Sequence, residues 1–399
     1  MDISLLEKLD EVRLVGHPFA PMGMGEHVRC VLRAIRAVGA SPKAVDVYKL
    51  SPRNDPTLVE ELNGALADGL GPVANILHLN GDELEQAIPH LGGLPKDAIN
   101  IAYPAWELPR YPEVWARRLE AFDEVWAPSA FIAESIAASV SVPVIHMPLA
   151  CEPRMRTFLG RRHFGIPESS FAFLYFFDFT SFVARKNPMA VVDAFARAYA
   201  KCGEPDACLV LKLNRGDLAR EDYVAFTEEM RRRRERIVLI DATLNEDEIR
   251  NLVHCCDAFV SLHRAEGFGR GMAEAMALGR PVIATGWSGN LDFMDADTAC
   301  LVDATLVPVG PGEYPHGDGQ QWAEPDVGQA AFHMARLIRD RRFAAELGRR
   351  ASRKLRVEFS YRARGLAYAQ RIIELLGGDA APPPRHQTPG DAARRSAQA

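Results

Sequence analysis

The chain has 399 residues, more than a single hydrophobic core usually serves, so we expect two domains. Its formal net charge of −6 argues against a general nucleic-acid binder, and no apolar run is long enough to cross a bilayer. Seven cysteines without CxxC pairs or regular spacing indicate neither a zinc site nor a disulfide framework. The N-terminus lacks the basic-then-apolar order of a signal peptide, so we expect a cytoplasmic protein.

The first part of the chain alternates short apolar runs with helical patterns, which is typical of βαβ units and a parallel sheet. The predicted strands are residues 12–16, 73–79, 99–103, 124–127 and 144–147. We assign them to one doubly wound domain over residues 1–152.

A glycine-rich loop follows the first predicted strand, and its Gly23 and Gly25 permit close approach of the backbone to a neighbour. Because turns need glycine for their own geometry, a GxG pair is weak evidence for a ligand.

Four polar or aromatic residues follow predicted strands of this domain, at the sheet edge where ligands collect: His17, Asp82, Trp106 and Glu107. Aromatic faces bind sugar rings, but a tryptophan at this position serves core packing equally well. We regard the four as candidate ligand-binding residues.

A second strand and helix series occupies residues 153–360 and predicts a second α/β domain. Its predicted strands are residues 172–177, 208–213, 237–240, 258–262 and 281–285. Apolar residues at 366, 369, 372, 373 and 376 predict a packed helix over residues 361–377. Residues 378–399 are rich in Ala, Pro, Arg and Gln, which predicts a disordered tail.

Residues 261–290 combine a strand, a glycine loop, a helix and a strand. Gly267 and Gly269 allow close backbone approach, and a helix that begins near Gly271 presents amide hydrogens to a phosphate. Glu266 and Glu274 flank this anion site, and carboxylates accept hydrogen bonds from sugar hydroxyls. Each feature alone fits a turn or a helix cap, but their order favours a nucleotide-sugar site.

The segment EGFGRGMAEAMALGRPVIAT resembles the Glu-x7-Glu signature of retaining glycosyltransferases of the GT-B fold, especially family 4. The resemblance implies two Rossmann-like domains that face each other across a cleft. It implies that Glu266 contacts donor-sugar hydroxyls, that Glu274 contacts the ribose, and that amides at Phe268, Gly269 and Arg270 face the sugar and phosphate. The loop with Gly23 and Gly25 would close on the phosphates from the other domain.

Arg185 and Lys186 precede Asn187-Pro188 at the start of a predicted helix, where they can neutralise a bound or departing diphosphate. Many family-4 members carry an arginine five positions before the lysine, whereas this chain has Ser181 there. A similar bacterial subgroup also has RKNP, so Arg185 would supply the missing charge and Ser181 would hydrogen-bond the phosphate.

The implied activity is retaining transfer of a hexose from a UDP- or GDP-linked sugar to an unidentified acceptor, with Glu266, Lys186 and Arg185 as catalytic residues. The resemblance implies no metal and no cofactor besides this donor, whose base would lie near residues 239–244, and a last helix that returns to the first domain. Alternatives are a GT-B sugar-nucleotide epimerase or phosphorylase, or a non-catalytic sugar-nucleotide-binding partner.

Two further segments have no firm assignment. The arginine cluster at residues 231–236 is either a solvated helix end or a peripheral contact with anionic lipid at the inner face of a membrane. The aromatic, proline-marked segment at residues 314–325 resembles a loop of the same RKNP subgroup, without a known role.

Overall fold

The computed structural model describes residues 3–21, 23–50, 55–179, 182–214, 220–233 and 236–377, with backbone alone for residues 3–6. Ser181, part of the arginine cluster and the predicted tail at 378–399 lie outside these ranges.

The first sheet has six parallel strands in the order β2-β1-β3-β4-β5-β6. Its strands are β1 (Val12–Gly16), β2 (Lys43–Asp46), β3 (Ala74–Leu77), β4 (Ile99–Ala102), β5 (Glu124–Ala127) and β6 (Val144–His146). The helices between them are α1 (Ile3–Asp10), α2 (Gly23–Arg36), α3 (Pro56–Leu62), α4 (Leu84–His90), α5 (Glu113–Leu119) and α6 (Ala130–Ala137). We call this unit the N-terminal domain.

The second sheet also has six parallel strands, in the order β12-β11-β10-β7-β8-β9. Its strands are β7 (Phe171–Phe177), β8 (Ala207–Leu213), β9 (Ile237–Asp241), β10 (Ala258–Ser261), β11 (Val282–Thr285) and β12 (Cys300–Val302). The helices are α7 (Val183–Lys186), α8 (Pro188–Lys201), α9 (Glu221–Arg232), α10 (Glu246–Cys255), α11 (Arg270–Ala277), α12 (Val327–Arg339) and α13 (Arg341–Glu358). We call this unit the C-terminal domain.

An antiparallel hairpin of β13 (Ala304–Pro308) and β14 (Gln321–Pro325) extends from the C-terminal domain. Its β14 strand lies inside the aromatic segment to which the sequence assigned no role. Residues 309–320 connect the two strands, and we call them the hairpin loop.

Local sequence explains the main elements. Most strands are short apolar runs because parallel strands are covered by helices on both faces; β8 is buried along its whole length. Helix α8 begins with Pro188, whose fixed φ suits a first helical position, and α10 begins with a capping box of Asn245 and Glu248.

The fold prediction of two Rossmann-like α/β units is confirmed, and every predicted strand forms, with bounds that differ by at most a few residues. Strands β2 and β12 and the hairpin are not predicted from the local sequence pattern. Strand β2 is the four-residue stretch KAVD, whose two charged ends conceal the apolar pattern. Strand β13 is largely exposed and ends in proline, so it lacks a buried run.

The last helix, α14 (Tyr361–Gly377), packs against α2 of the N-terminal domain. The helices approach closely at Gly365, where a Cβ would lie 2.0 Å from the Ala34 carbonyl oxygen. The Tyr368 hydroxyl donates to the Pro148 carbonyl at 2.7 Å, and its ring stacks on Trp126 with centroids 5.7 Å apart. Helix α14 thus attaches residues 361–377 to the first sheet. Among the described helices, none combines the length and apolar character that a membrane span requires.

Candidate active site

The loop between β10 and α11 is packed directly on the N-terminal domain. A Cβ on Gly267 would lie 2.9 Å from the Trp106 carbonyl oxygen, and the Ser129 hydroxyl donates to the Gly267 carbonyl at 2.6 Å. Gly269 has φ +91°, a left-handed conformation that a residue with a side chain rarely adopts. Gly267 therefore brings the backbone of this loop against the opposing domain, and Gly269 allows the chain to turn into α11.

Lys186 and Glu266 form the centre of the site. The Lys186 ammonium donates to Glu266 Oε1, and Arg185 Nη1 lies 3.6 Å from the same oxygen. Burial alone would raise the pKa of Glu266, but the Lys186 and Arg185 cations outweigh it and hold that pKa at about 2. Glu266 is therefore ionised at neutral pH and presents a carboxylate acceptor.

Glu107 of the N-terminal domain reaches the Arg185 cation. Its Oε1 lies 3.6 Å from Arg185 Nη1, and its Oε2 accepts a hydrogen bond from the Tyr314 hydroxyl. Arg185 also donates to the Ala265 carbonyl at 3.1 Å and is almost completely buried. Carboxylates from both domains thus share one guanidinium.

A second cross-domain cluster surrounds Arg270 at the start of α11. Arg270 Nη2 lies 2.7 Å from Glu26 Oε1 and 3.0 Å from Glu274 Oε1. Burial would raise the pKa of Glu26, but Arg270, Arg33 and Arg29 hold it well below its ordinary value. The structure therefore brings Glu274 and Arg270 to the interface and adds Glu26. Glu26 is not among the residues predicted from the sequence, and its one local signal is an acidic residue directly after Gly23-Met24-Gly25.

Gly23 and Gly25, the two candidates in the glycine loop before α2, have different surroundings. A Cβ on Gly25 would lie 2.1 Å from the Ala20 carbonyl oxygen, whereas nothing lies within 4 Å of one on Gly23. Gly25 is therefore sterically required, and Gly23 is not.

The other candidates of the N-terminal domain occupy different surroundings. His17 Nε2 lies 2.6 Å from Glu83 Oε1, and Asp82 is exposed near Arg118. Among the described contacts, neither joins the group around Lys186 and Glu266. The Trp106 ring is buried, and its indole N–H donates to the Arg110 carbonyl at 3.0 Å, so the structure places it in packing contacts.

His263 is a buried residue of the loop that the sequence analysis missed. Its Nδ1 lies 3.0 Å from Ser261 Oγ and its Nε2 lies 3.1 Å from Asn290 Oδ1. Burial lowers the pKa of His263 to about 4, so the imidazole is neutral at pH 7. A histidine directly after a predicted strand was the available signal.

Residues 179–311 match the family model described as glycosyl transferases group 1. No curated protein matches the chain. Solved structures match nearly its whole length. Anabaena HepE, solved in complex with UDP and glucose, has a TM-score of 0.64 at 15% identity, over 92% of this chain and 99% of that one. Sucrose-phosphate synthase from Thermosynechococcus elongatus has a TM-score of 0.64 at 16% identity, with the same coverage. A glycosyltransferase from Rickettsia africae has a TM-score of 0.63 at 12% identity, again with that coverage.

The chain has the GT-B fold. In the GT-B arrangement the two sheets face each other across a cleft, and the clusters around Arg185 and Arg270 lie where the two domains meet. Further contacts across the cleft join Ser129 to Gly267, His146 to Asp292 at 2.6 Å, and Arg33 to Glu246 at 3.2 Å. The cations of the clusters around Arg185 and Arg270 are paired with carboxylates. A phosphate that bound there would therefore compete with these carboxylates for the cations.

Proposed function

We propose that this protein is a retaining glycosyltransferase that moves a hexose from a nucleotide-diphosphate sugar to an acceptor. The observation that carries the proposal is the convergence of Lys186 and Arg185 on Glu266 at the domain interface. These residues lie within the segment that matches the group 1 family, and the matched HepE structure contains UDP and glucose.

The proposed donor lies across the loop between Glu266 and Glu274. Glu266, ionised by its cationic neighbours, accepts hydrogen bonds from hydroxyls of the transferred sugar. Glu274, at the interface beside Arg270, accepts from the ribose. The backbone amides of Gly267–Arg270 and the start of α11 face the diphosphate. Ser181, a further predicted phosphate ligand, lies outside the described residues.

In the proposed reaction the bond between the anomeric carbon and the donor phosphate oxygen breaks, and its electron pair stays on the departing diphosphate. Lys186 and Arg185 stabilise that negative charge. The acceptor oxygen bonds to the same face of the anomeric carbon and gives its proton to the departing phosphate oxygen. Protein cations supply the positive charge in this scheme, so we propose that neither a metal nor a further cofactor takes part.

The two domains divide the substrates in this proposal. Residues 1–152 bind the acceptor, with His17, Asp82, Trp106 and Glu107 as the candidate residues on that side. Residues 153–360 bind the donor, with a uracil or guanine base near residues 239–244, and residues 361–377 join the domains. We propose that the protein acts in the cytoplasm.

The test is incubation with UDP-glucose and with GDP-mannose, each labelled in the sugar, followed by separation of the products. Transfer to an acceptor or to water, with release of the nucleoside diphosphate, is the expected result. A labelled epimer or a labelled sugar phosphate would instead identify an epimerase or a phosphorylase. Tight nucleotide binding without turnover on any acceptor would identify a non-catalytic binding partner.

A further inference from the structure

The hairpin loop crosses from the C-terminal domain to the N-terminal domain. The Arg110 backbone N–H donates to Gln320 Oε1 at 2.9 Å, and the Arg110 side chain donates to the Gly319 carbonyl at 2.6 Å. The rings of His316 and Trp115 meet edge to face with centroids 4.8 Å apart. Hydrogen bonds and an aromatic contact therefore attach the hairpin loop to the N-terminal domain.

Tyr314 is the residue of this loop that reaches the candidate active site. Its hydroxyl donates to Glu107 Oε2, and the Arg185 guanidinium carbon lies 5.8 Å from its ring centroid. The ring also meets Trp106 and Phe182 at centroid distances of 5.6 Å and 5.0 Å. One side chain thus contacts a carboxylate of one domain and a cation of the other.

The two oxygens of Glu107 have different partners. Oε2 accepts from Tyr314, which leaves Oε1 directed at Arg185 Nη1 at 3.6 Å. The last torsion of a glutamate side chain is soft, so a carboxylate without a fixed donor turns readily. Burial, together with Glu107, raises the pKa of Tyr314 well above its ordinary value, so the hydroxyl remains a donor throughout the working pH range.

We propose that Tyr314 is a positioning residue that orients Glu107 and Arg185 for sugar transfer, an inference that rests on the proposed function. The hydroxyl fixes the carboxylate on the acceptor side of the cleft, and the ring face supports the guanidinium opposite the departing phosphate. The hairpin loop is therefore part of the working site, although none of its residues needs to contact the nucleotide. Loss of the hydroxyl should lower turnover and leave nucleotide affinity unchanged.

The experiment compares Tyr314→Phe with Tyr199→Phe, a matched control that removes the hydroxyl of a half-buried tyrosine on α8. UDP release from UDP-glucose gives kcat and KM, and calorimetry gives the dissociation constant of UDP. We expect Tyr314→Phe to lower kcat about tenfold, equivalent to about 1.4 kcal/mol, with KM and UDP affinity within about twofold of wild type. Tyr199→Phe should match wild type.

A double-mutant cycle tests whether Tyr314 acts through Glu107. The variant with both Tyr314→Phe and Glu107→Gln should turn over about as slowly as Glu107→Gln alone, because the hydroxyl then has no carboxylate to orient. If Tyr314→Phe slowed the Glu107→Gln variant by the same factor by which it slows wild type, that result would overturn the inference. So would unchanged kcat in Tyr314→Phe, a parallel loss of UDP affinity, or a structure of that variant with Glu107 unmoved. A wild-type protein that neither binds UDP nor hydrolyses any nucleotide sugar would instead refute the proposed function, and the inference with it.

Discussion

Glu26 of the N-terminal domain and Arg270 of the C-terminal domain form an ion pair, with 2.7 Å between Glu26 Oε1 and Arg270 Nη2. The same guanidinium binds Glu274, so the start of α11 and the start of α2 are joined through one cation. Glu26 is buried, and Arg29 and Arg33 also bind it. Opening of the cleft would break the pair between Glu26 and Arg270. Each partner would keep an ion pair within its own domain, because Arg29 and Arg33 lie on α2 and Glu274 lies on α11.

The first prediction concerns donor recognition by Glu274. Glu274→Gln keeps the size of the side chain but removes the charge that would accept from both ribose hydroxyls. We expect UDP affinity to fall about tenfold, as for the loss of one charge-assisted hydrogen bond. Calorimetry with UDP measures this, with Glu346→Gln on the outer face of α13 as the control. Equal affinities of the two variants would remove Glu274 from the donor site.

The second prediction concerns the glycine loop before α2. Gly25→Ala should lower the free energy of unfolding by about 1–3 kcal/mol, because the new Cβ would meet the Ala20 carbonyl oxygen at 2.1 Å. Gly23→Ala is the matched control, since nothing lies within 4 Å of the corresponding position. Urea unfolding of both variants gives the comparison. Similar midpoints would show that the loop relaxes freely at Gly25.

The third prediction concerns pH. The hydrogen bond between His17 and Glu83 raises the pKa of His17 above 6.5, and the charge of Asp46 contributes in the same direction. Because the pKa of His17 is higher in the folded protein than in the unfolded chain, protonated His17 stabilises the fold. This stabilisation is complete below the unfolded-state pKa of 6.5 and is lost as pH rises through the folded-state pKa. Wild type should therefore exceed His17→Gln in Tm by more at about pH 5.5 than at about pH 9. A Tm difference independent of pH would contradict the assignment.

The fourth prediction concerns the anchor of α14. Arg371 Nε lies 3.1 Å from both oxygens of Glu124, whose side chain is 1% exposed. Among the described contacts, Arg371→Leu would leave the buried Glu124 carboxylate with the Trp126 indole N–H as its one donor. We expect a loss of about 3 kcal/mol in unfolding free energy. Arg362→Leu, at an exposed position of the same helix, should change stability little, and comparable losses in both variants would refute the role of the pair.

The sequence predicts most of this fold because parallel strands covered on both faces are apolar runs that stand out from their surroundings. Strand β2 and the hairpin escaped prediction because their stability comes from partners elsewhere in the chain rather than from local pattern. Lys43–Asp46 is a strand because it pairs with β1, and Ala304–Pro308 because it pairs with β14.

The residues of the candidate site likewise differ in whether the sequence predicts them. Glu266 and Glu274 could be selected because both belong to one short segment with a recognisable order. The contacts of Glu26 with Arg270 and of Tyr314 with Glu107 join residues 244 and 207 positions apart, and nothing in the local sequence specifies them. The meeting of the domains, rather than any motif, determines these pairs.

The proposed function requires that a nucleoside diphosphate binds beside Lys186. Isothermal titration of UDP and of GDP into wild type, Lys186→Met and Lys201→Met tests it most directly, since Lys201 is an exposed lysine at the end of α8. We predict that wild type and Lys201→Met bind one of the two nucleotides equally, and that Lys186→Met binds it at least about tenfold more weakly. Absence of binding to wild type, or equal affinity for Lys186→Met, would contradict the account.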